Sequence, residues 1–242
     1  MKKRLFVLLA LLPLLAAGGG QYTIPGHTGA AAVGSASYVS YCALNPNSVG
    51  ATSIACTINS VVVGDLVSVC TTWLNQSATM VVSDGTSTFS NGNKTDISYM
   101  HGQCAYLLSA NSGNRTYTVT WAGGVTADYS VIEASIYHTT AGTWHYDTQA
   151  ANSATSSSAT SGNFTTSGSD EVVVMIGHLC CVGATPSTVT IGGNTATQIS
   201  NGLGIGEISY YLLNTPVTSG AAVYTYGNST TWVDIAMAYK AY

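Results

Sequence analysis

Short runs of alternating apolar and polar residues follow one another along most of the chain, and each run is ended by Gly, Asn, Asp or Ser. In LVSVCTTW, for example, neighbouring side chains such as Leu66 and Val67 would point to opposite faces of a strand. The pair Asp84-Gly85 within MVVSDGTSTF is typical of a tight turn between two strands. No run is convincing as a helix, so the pattern predicts an all-β protein.

The order of these runs occurs twice, with a period of about one hundred residues that is too long for a solenoid repeat. AYLLSANSGNRTYTVTW matches YYLLNTPVTSGAAVYTY, and VVVGDLVSVCTTW matches SGSDEVVVMIGHL. Two such copies facing each other would bury a shared core. We therefore predict an antiparallel, jelly-roll-like β-sandwich over residues 38–242, built from related halves at about 60–141 and 165–242. The alternative is two small tandem sandwiches joined by the Ser-, Ala- and Thr-rich segment 150–162.

The first twenty residues have the layout of a secretory signal peptide. A basic head of Lys2, Lys3 and Arg4 precedes an apolar run that is short for a membrane span, and small residues follow it. We predict that residues 1–20 are removed, that a flexible Gly- and Ala-rich leader spans residues 21–37, and that the protein is secreted or extracellular and cell-surface associated. The alternative is an uncleaved membrane anchor; no further apolar span follows.

Charge is scarce. The chain has six Lys or Arg and ten Asp or Glu residues, and charged residues make up 7% of it. Loss of the signal peptide would leave three cations against the ten acids, a net charge of −7. Nucleic-acid binding needs clustered cations, so this composition excludes it. Weak repulsion per unit surface would permit self-association.

Six cysteines follow the predicted signal peptide, an even number that is typical of disulfides in an oxidising compartment. They are Cys42, Cys56, Cys70, Cys104, Cys180 and Cys181. Cys42–Cys56 would close a local loop, and Cys70–Cys104 would join two predicted strands. The adjacent pair Cys180 and Cys181 would either bond to each other or to different partners. Six cysteines allow fifteen complete pairings, so other connectivities stay open.

The order of several segments resembles a broad, mostly uncharacterised group of secreted bacterial β-sandwich domains found in surface-associated proteins. The segments are GDLVSVCTTW, VVSDGTSTF, AYLLSANSGNRTYTVTW, SVIEASIYH, HYDTQA, SDEVVVMIG and TWVDIAMAYKA. The resemblance covers about residues 38 to 242 and implies the jelly-roll-like sandwich. It implies no catalytic residues, and the cysteines of this chain depart from the group.

Two constellations of titratable residues could carry chemistry. Glu133 and Asp234 lie within apolar strands of the two halves, and the repeat could bring them together as a carboxylate pair such as glycosidases use. His138, His145 and Asp147 lie close in sequence and could hold a metal ion across a turn. A buried or solvent-facing structural acid and surface histidines are the alternatives. No Gly-x-Ser-x-Gly motif is present.

Aromatic residues suggest sugar binding, because aromatic faces stack on the C–H groups of sugars. The predicted ligand-binding residues are Trp144, His145, Tyr146, Tyr210 and Tyr211. Core packing is the alternative for most aromatic residues, and Trp144, in AGTWHYD, is the one that packing explains least.

Loop oxygens could also hold one structural calcium ion, although the spacing is not that of a helix-loop-helix site. The residues concerned are Asp84, Asn91, Asn93 and Asp96.

These observations favour a secreted, non-enzymatic surface or matrix protein with an adhesive or self-assembling role, whose partner is itself. Few lysines and prolines protect the sheet edges against pairing with another copy. The alternatives are a carbohydrate-binding module whose partner is an extracellular glycan, and an unrecognised polysaccharide-active or other hydrolase.

Overall fold

The computed structural model describes residues 35–46, 48–180, 188–201 and 206–242. These described residues all belong to one compact unit. The first half of the chain contributes nine strands: β1 (Ala36–Leu44), β2 (Ser53–Val61), β3 (Leu66–Leu74), β4 (Met80–Ser83), β5 (Ser90–Asn91), β6 (Thr95–Ile97), β7 (Met100–Leu107), β8 (Gly113–Trp121) and β9 (Asp128–Thr139). The second half contributes seven: β10 (Trp144–Thr160), β11 (Glu171–Leu179), β12 (Thr188–Ile191), β13 (Asn194–Thr195), β14 (Thr197–Asn201), β15 (Glu207–Leu213) and β16 (Ala222–Ala241).

Within the described residues these strands form three antiparallel sheets. Sheet 1 has the order β1-β9-β3-β7-β5, with β6 also paired to β7. Sheet 2 is β2-β8-β4. Sheet 3 has the order β13-β12-β16-β11-β15-β14, with β10 paired to β16. The predicted all-β sandwich class is therefore confirmed.

The two halves repeat one strand arrangement, as the sequence period predicts. The series β1-β9-β3-β7 in sheet 1 corresponds to β10-β16-β11-β15 in sheet 3. Leu66 pairs with Tyr137 in the first half, and Val172 pairs with Tyr239 at the same place in the second. The register shift after Tyr38 in β1 also has a counterpart after Tyr146 in β10.

In the described residues, alternating side chains form three large cores and one small cluster. One side of sheet 1 packs on sheet 2 around residues such as Trp73 and Tyr117. The second half folds around its own core, which includes Tyr224 and Trp232. A third core lies between the halves and is formed by the facing sides of sheets 1 and 3. Members of this interface include Leu66, Cys70, Cys104, Tyr137, Val172, Val174, Ile176, Ile235, Met237 and Tyr239.

The proposed linker at residues 150–162 is wrong. Residues 150–160 form most of β10, which pairs with β16 from Trp144 to Thr160. An edge strand that is only partly buried needs no large apolar side chains, so Ala, Ser and Thr suffice there. Strand β1 begins at Ala36, within the range assigned to the leader. The predicted signal peptide and leader residues 21–34 lie outside the described residues.

Two of the predicted disulfides are confirmed. Cys42 and Cys56 join β1 to β2 with a Cα–Cα distance of 5.7 Å, and Cys70 and Cys104 join β3 to β7 at 4.0 Å. Cys180 is also disulfide-bonded. The first bond links sheet 1 to sheet 2, and the second crosses between neighbouring strands within sheet 1.

Candidate functional site

Strand β1 is the outermost strand of sheet 1 and pairs only with β9 among the described strands. Its sequence, ASYVSYCAL, contains no charged residue and no proline. Val39, Tyr41 and Leu44 are 44%, 45% and 43% exposed. Soluble β-proteins usually protect such an edge with lysine, proline, a bulge or a covering segment, and of these devices the described part of β1 shows only the register shift after Tyr38. Within the described part of the chain, strand β1 therefore offers an apolar surface next to backbone groups of an unpaired sheet edge.

One end of β1 is already occupied. The side-chain amide of Asn214 accepts a hydrogen bond from the Ala36 N–H at 2.9 Å and donates one to the Ala36 carbonyl at 2.8 Å. This contact ties the start of β1 to the second half of the chain. The part of the edge from Ser37 to Leu44 lies beyond this contact.

Strand β10 is the counterpart of β1 in the second half, but part of its length is covered. The Gln149 side-chain oxygen accepts a hydrogen bond from the Asn93 N–H at 3.0 Å, and the Ser153 hydroxyl donates to the Asp96 carbonyl at 3.0 Å. Segments of the first half thus lie along β10. Of the two equivalent edges, β1 carries three exposed large apolar residues, whereas β10 carries one, Tyr146.

The predicted sugar-binding residues do not form one surface. Trp144 is 3% exposed and packs in the interface between the halves, so its ring is not available to a ligand. Tyr210 is buried in the core of the second half. Tyr211 stacks on Tyr38 with ring centroids 4.9 Å apart and an interplanar angle of 7°.

The remaining two members of that set do lie at the surface. The ring of His145 stacks on Tyr242 with centroids 4.4 Å apart, and the Lys240 ammonium lies 5.1 Å from the centroid of the same tyrosine. Tyr146 stacks on Tyr106 at 5.2 Å. Since Tyr146 and Tyr242 are 37% and 46% exposed, two partly exposed aromatic stacks lie near the start of β10.

His138, His145 and Asp147 are not brought together. His138 Nδ1 donates to the buried Asp65 carboxylate at 2.8 Å, and Asp147 accepts a hydrogen bond from the Ser167 N–H at 2.7 Å. His145 stacks on Tyr242. No cluster of three or more His, Cys, Asp or Glu side chains suited to a metal ion occurs in the described part of the chain.

The side chains of three of the four residues suggested for calcium have another partner. The Asp84 carboxylate accepts hydrogen bonds from Thr86 and Ser87, which stabilise the turn and hold its pKa below the ordinary value despite some burial. Asn91 donates to the Met80 carbonyl, and Asp96 lies 3.0 Å from Lys94 Nζ. These contacts account for the positions of the side chains as turn and strand residues.

Glu133 and Asp234 face different cores and do not form a pair. Ile132 and Ala134, on either side of Glu133, pack towards sheet 2, so Glu133 faces the interface between the halves. Val233 and Ile235, on either side of Asp234, face away from the core of the second half. The Asp234 side chain therefore points into that core, where it is buried. Burial raises the pKa of Asp234 well above the ordinary value.

Glu133 instead lies near a second acid, Glu207, which the sequence analysis did not identify. Glu207 on β15 faces the same interface, and Ser209 on that strand donates a hydrogen bond to Glu133 Oε2. Both glutamates are 3% exposed. Burial raises the pKa of Glu133 to about 8. Burial, and after it the neighbouring Glu133, raises the pKa of Glu207 well above its ordinary value.

The burial of Glu207 was hard to predict from the sequence, because this residue stands at the start of the apolar run in GIGEISYYLL, where a solvent-facing acid is common. Its partner strand supplies His178, which is the register neighbour of Glu207 and bonds to Thr72 of the first half at 2.9 Å. The carboxyl groups of Glu133 and Glu207, together with the Ser209 hydroxyl, thus form a cluster where the two halves meet. We call it the carboxyl cluster. Its burial gives a substrate no access.

In the ranges that the structure describes, no helix is long and apolar enough to cross a membrane.

The chain matches no protein-family model, no curated protein and no solved structure.

Proposed function

We propose that this chain is an extracellular, non-enzymatic structural protein that associates with further copies of itself through strand β1. The observation that carries the proposal is the open edge of sheet 1, where Val39, Tyr41 and Leu44 are exposed on a strand without charge or proline. The occupant is a second copy, because the uncharged ASYVSYCAL strand presents no like-charge repulsion to itself.

An antiparallel pair of two β1 strands would extend sheet 1 of one copy into sheet 1 of the next. Such a pair satisfies backbone groups on both edges and places apolar side chains of the two copies side by side. The contact is isologous, so it produces a twofold dimer. A fibre would need a second contact, for which the equivalent edge strand β10 is the candidate.

Export is part of the same proposal. The signal-like first twenty residues and the confirmed disulfides suit an oxidising compartment outside the cytoplasm. Disulfides would stabilise a β-sandwich whose surface has few charges.

The test is sedimentation or light scattering of the mature protein over a wide range of concentration. The variant Tyr41→Lys places a charge on the exposed part of β1, and we expect it to remain monomeric where the unchanged protein dimerises. Val81→Lys is the matched control, since Val81 is 48% exposed on β4, an edge strand of sheet 2.

A protein that stays monomeric at every concentration and salt, without filaments in electron microscopy, would contradict the proposal. Equal loss of association in Tyr41→Lys and Val81→Lys would show that β1 is not the contact.

Carbohydrate binding is the second candidate, favoured by the exposed stacks of Tyr146 on Tyr106 and of His145 on Tyr242. Aromatic faces near a strand end could contact a glycan chain. The test is binding of soluble polysaccharides by isothermal calorimetry, with Tyr242→Ala as the variant expected to lose binding. Phe89→Ala, which truncates an aromatic ring packed on the core of the first half, is the control for nonspecific effects.

A further inference from the structure

The two halves place different residues at equivalent points of their interface. The equivalence of Leu66–Tyr137 and Val172–Tyr239 makes Glu133 of β9 the counterpart of Ile235 in β16. Counted along β7 and β15 in the same way, Glu207 corresponds to Gly102 and Ser209 to Cys104. The polar trio of Glu133, Glu207 and Ser209 therefore stands where the other copy of the arrangement has Ile235, Gly102 and Cys104.

The apolar version of this arrangement packs closely. A Cβ atom added at Gly102 would lie 3.2 Å from Ile235 Cδ1 and 3.3 Å from Val233 Cγ2. At Gly102 the halves therefore meet through close apolar contact. The carboxyl cluster is not a requirement of the architecture, and burying two acids together is unfavourable unless they carry protons.

No Lys or Arg side chain in the described ranges offsets the two acids. The three Lys or Arg residues in the described ranges are engaged elsewhere: Lys94 with Asp96, Arg115 with backbone carbonyls near residue 111, and Lys240 with Tyr242. The titratable groups that face the cluster from the surrounding strands are Tyr38 of β1, Tyr137 of β9, His178 of β11 and Tyr211 of β15; Cys70 of β3 is held in a disulfide. Burial, with Glu133 as the next cause, raises the pKa of Tyr38 and leaves its hydroxyl neutral.

We propose that Glu133 and Glu207 form a proton-dependent lock between the two halves, closed while both carboxyl groups carry a proton and weakened when either loses it. Ser209 supports the closed state by its hydrogen bond to Glu133. Loss of a proton places an uncompensated charge between sheets 1 and 3, and loss of both places two like charges there. Separation of the halves lets water reach the carboxylates.

The direction in which pH changes the opening equilibrium follows from the pKa values of Glu133 in the two states. Its ordinary pKa of 4.5 applies when the halves are apart, and about 8 applies when they are packed. Between these values the open state releases a proton that the closed state holds, so opening is favoured as pH rises. Each carboxyl group makes the equilibrium constant for opening grow about tenfold per pH unit in that window. Below about 4.5 the contribution of Glu133 is constant.

The experiment is amide hydrogen exchange on the disulfide-bonded protein, from about pH 5 to pH 8, with rates corrected for intrinsic exchange. We expect the opening constant of amides in β15 to rise at least tenfold per pH unit. Amides of β8, within the separate core of the first half, should show no such rise. Glu133→Gln combined with Glu207→Gln should abolish the dependence in β15.

Asp234→Asn is the matched control, because it removes another buried acid from the core of the second half and leaves the interface cluster intact. It should retain the pH dependence in β15. If the double glutamine variant fails to fold, Glu133→Ile introduces the residue found at the equivalent position and should lower the slope by about tenfold per pH unit.

Three outcomes would overturn the lock. One is a pH slope in β15 that the glutamine or isoleucine variants leave unchanged. Another is an equal slope in β8 and β15, which would mean global unfolding rather than separation of the halves. The last is the absence of any slope in the unchanged protein.

Discussion

The ring of Tyr38 stacks face to face on the ring of Tyr211, with centroids 4.9 Å apart, and Tyr137 meets both rings edge-on. The first two residues of this triad come from different halves of the chain. An equivalent triad has Tyr146 stacked on Tyr106 at 5.2 Å, with Tyr239 edge-on to both. Each half therefore contributes two tyrosines to one triad and one tyrosine to the other. The two triads are related by pseudo-twofold symmetry, and both join sheet 1 to sheet 3.

The stacked pairs should be energetically coupled across the interface. In a double-mutant cycle with Tyr38→Leu and Tyr211→Leu, we expect a coupling of about 0.5–1.5 kcal/mol in the free energy of unfolding. Urea denaturation at constant pH measures it. The cycle combining Tyr38→Leu with Tyr106→Leu is the control, since these rings belong to different triads and their effects should add within about 0.5 kcal/mol. Equal coupling in both cycles would argue against the triads.

The disulfides should contribute to stability in the order of the loops that they close. Replacing Cys42 and Cys56 by alanine removes a bond across a sequence separation of 14, and the free energy of unfolding should fall by about 3 kcal/mol. Removing Cys70–Cys104, with a separation of 34, should cost about 4 kcal/mol. Thermal or denaturant unfolding of the two double variants checks the order. Peptide mapping without reductant should recover both linked pairs, and free thiols at these positions would contradict the bonds.

Asp234→Asn should stabilise the protein at neutral pH. Burial raises the pKa of Asp234, so the folded state holds a proton that the unfolded chain releases above its ordinary value of 3.8. The contribution of this residue to stability is therefore largest below that value and falls as pH rises above it, by about 1.4 kcal/mol per pH unit. Asparagine needs no such proton. The gain over the unchanged protein should be several-fold larger at pH 7 than at pH 4 in urea denaturation, and an equal gain at both would contradict a titrating Asp234.

Salt should strengthen self-association through β1. The predicted mature chain carries a formal net charge of −7, which remains negative when the buried acids hold protons, while β1 itself carries none, so whole-molecule repulsion opposes a contact that is not ionic. Screening shortens from about 30 Å at 0.01 M to about 8 Å at 0.15 M ionic strength. Sedimentation in a salt series should show a larger dimer fraction at the higher ionic strength. A dimer that dissociates as salt is added would instead indicate an ionic interface.

The mature protein should begin between Gly18 and Gln21, because small residues at these positions suit signal peptidase. N-terminal sequencing of the secreted protein measures the start directly. Secreted material that retains Met1 would contradict cleavage.

The repeat was readable from the sequence at the start of β3 and β11. Matching VVVGDLVSVCTTW to SGSDEVVVMIGHL residue by residue aligns Asp65 with Glu171, and the strand pairing gives the same alignment. Asp65 accepts a hydrogen bond from the N–H of residue 62, and Glu171 accepts one from the N–H of residue 168. Each acid therefore binds the N–H of the residue three positions before it. Equivalent turns of the two halves are thus stabilised by side chains of different length.

The site was less predictable than the repeat. A shift of one residue along a strand exchanges its faces, so the similar settings of Glu133 and Asp234 in the sequence concealed opposite orientations. Burial of Trp144 depends on the opposing half and has no local cause in AGTWHYD. The proximity of Glu133 to Glu207 likewise arises from contact between sheets 1 and 3, which no single segment encodes.

Strand β16 is continuous from Ala222 to Ala241, where the first half uses the two separate strands β8 and β9. It pairs with β10 from Trp144 to Thr160 on one side and with β11 from Glu171 to Leu179 on the other. A mechanical load that pulls the C-terminal end along this strand must shear both ladders together, because their hydrogen bonds lie across the direction of pull. An anchor at Tyr242 would therefore transmit tension into the middle of sheet 3 without peeling it apart bond by bond.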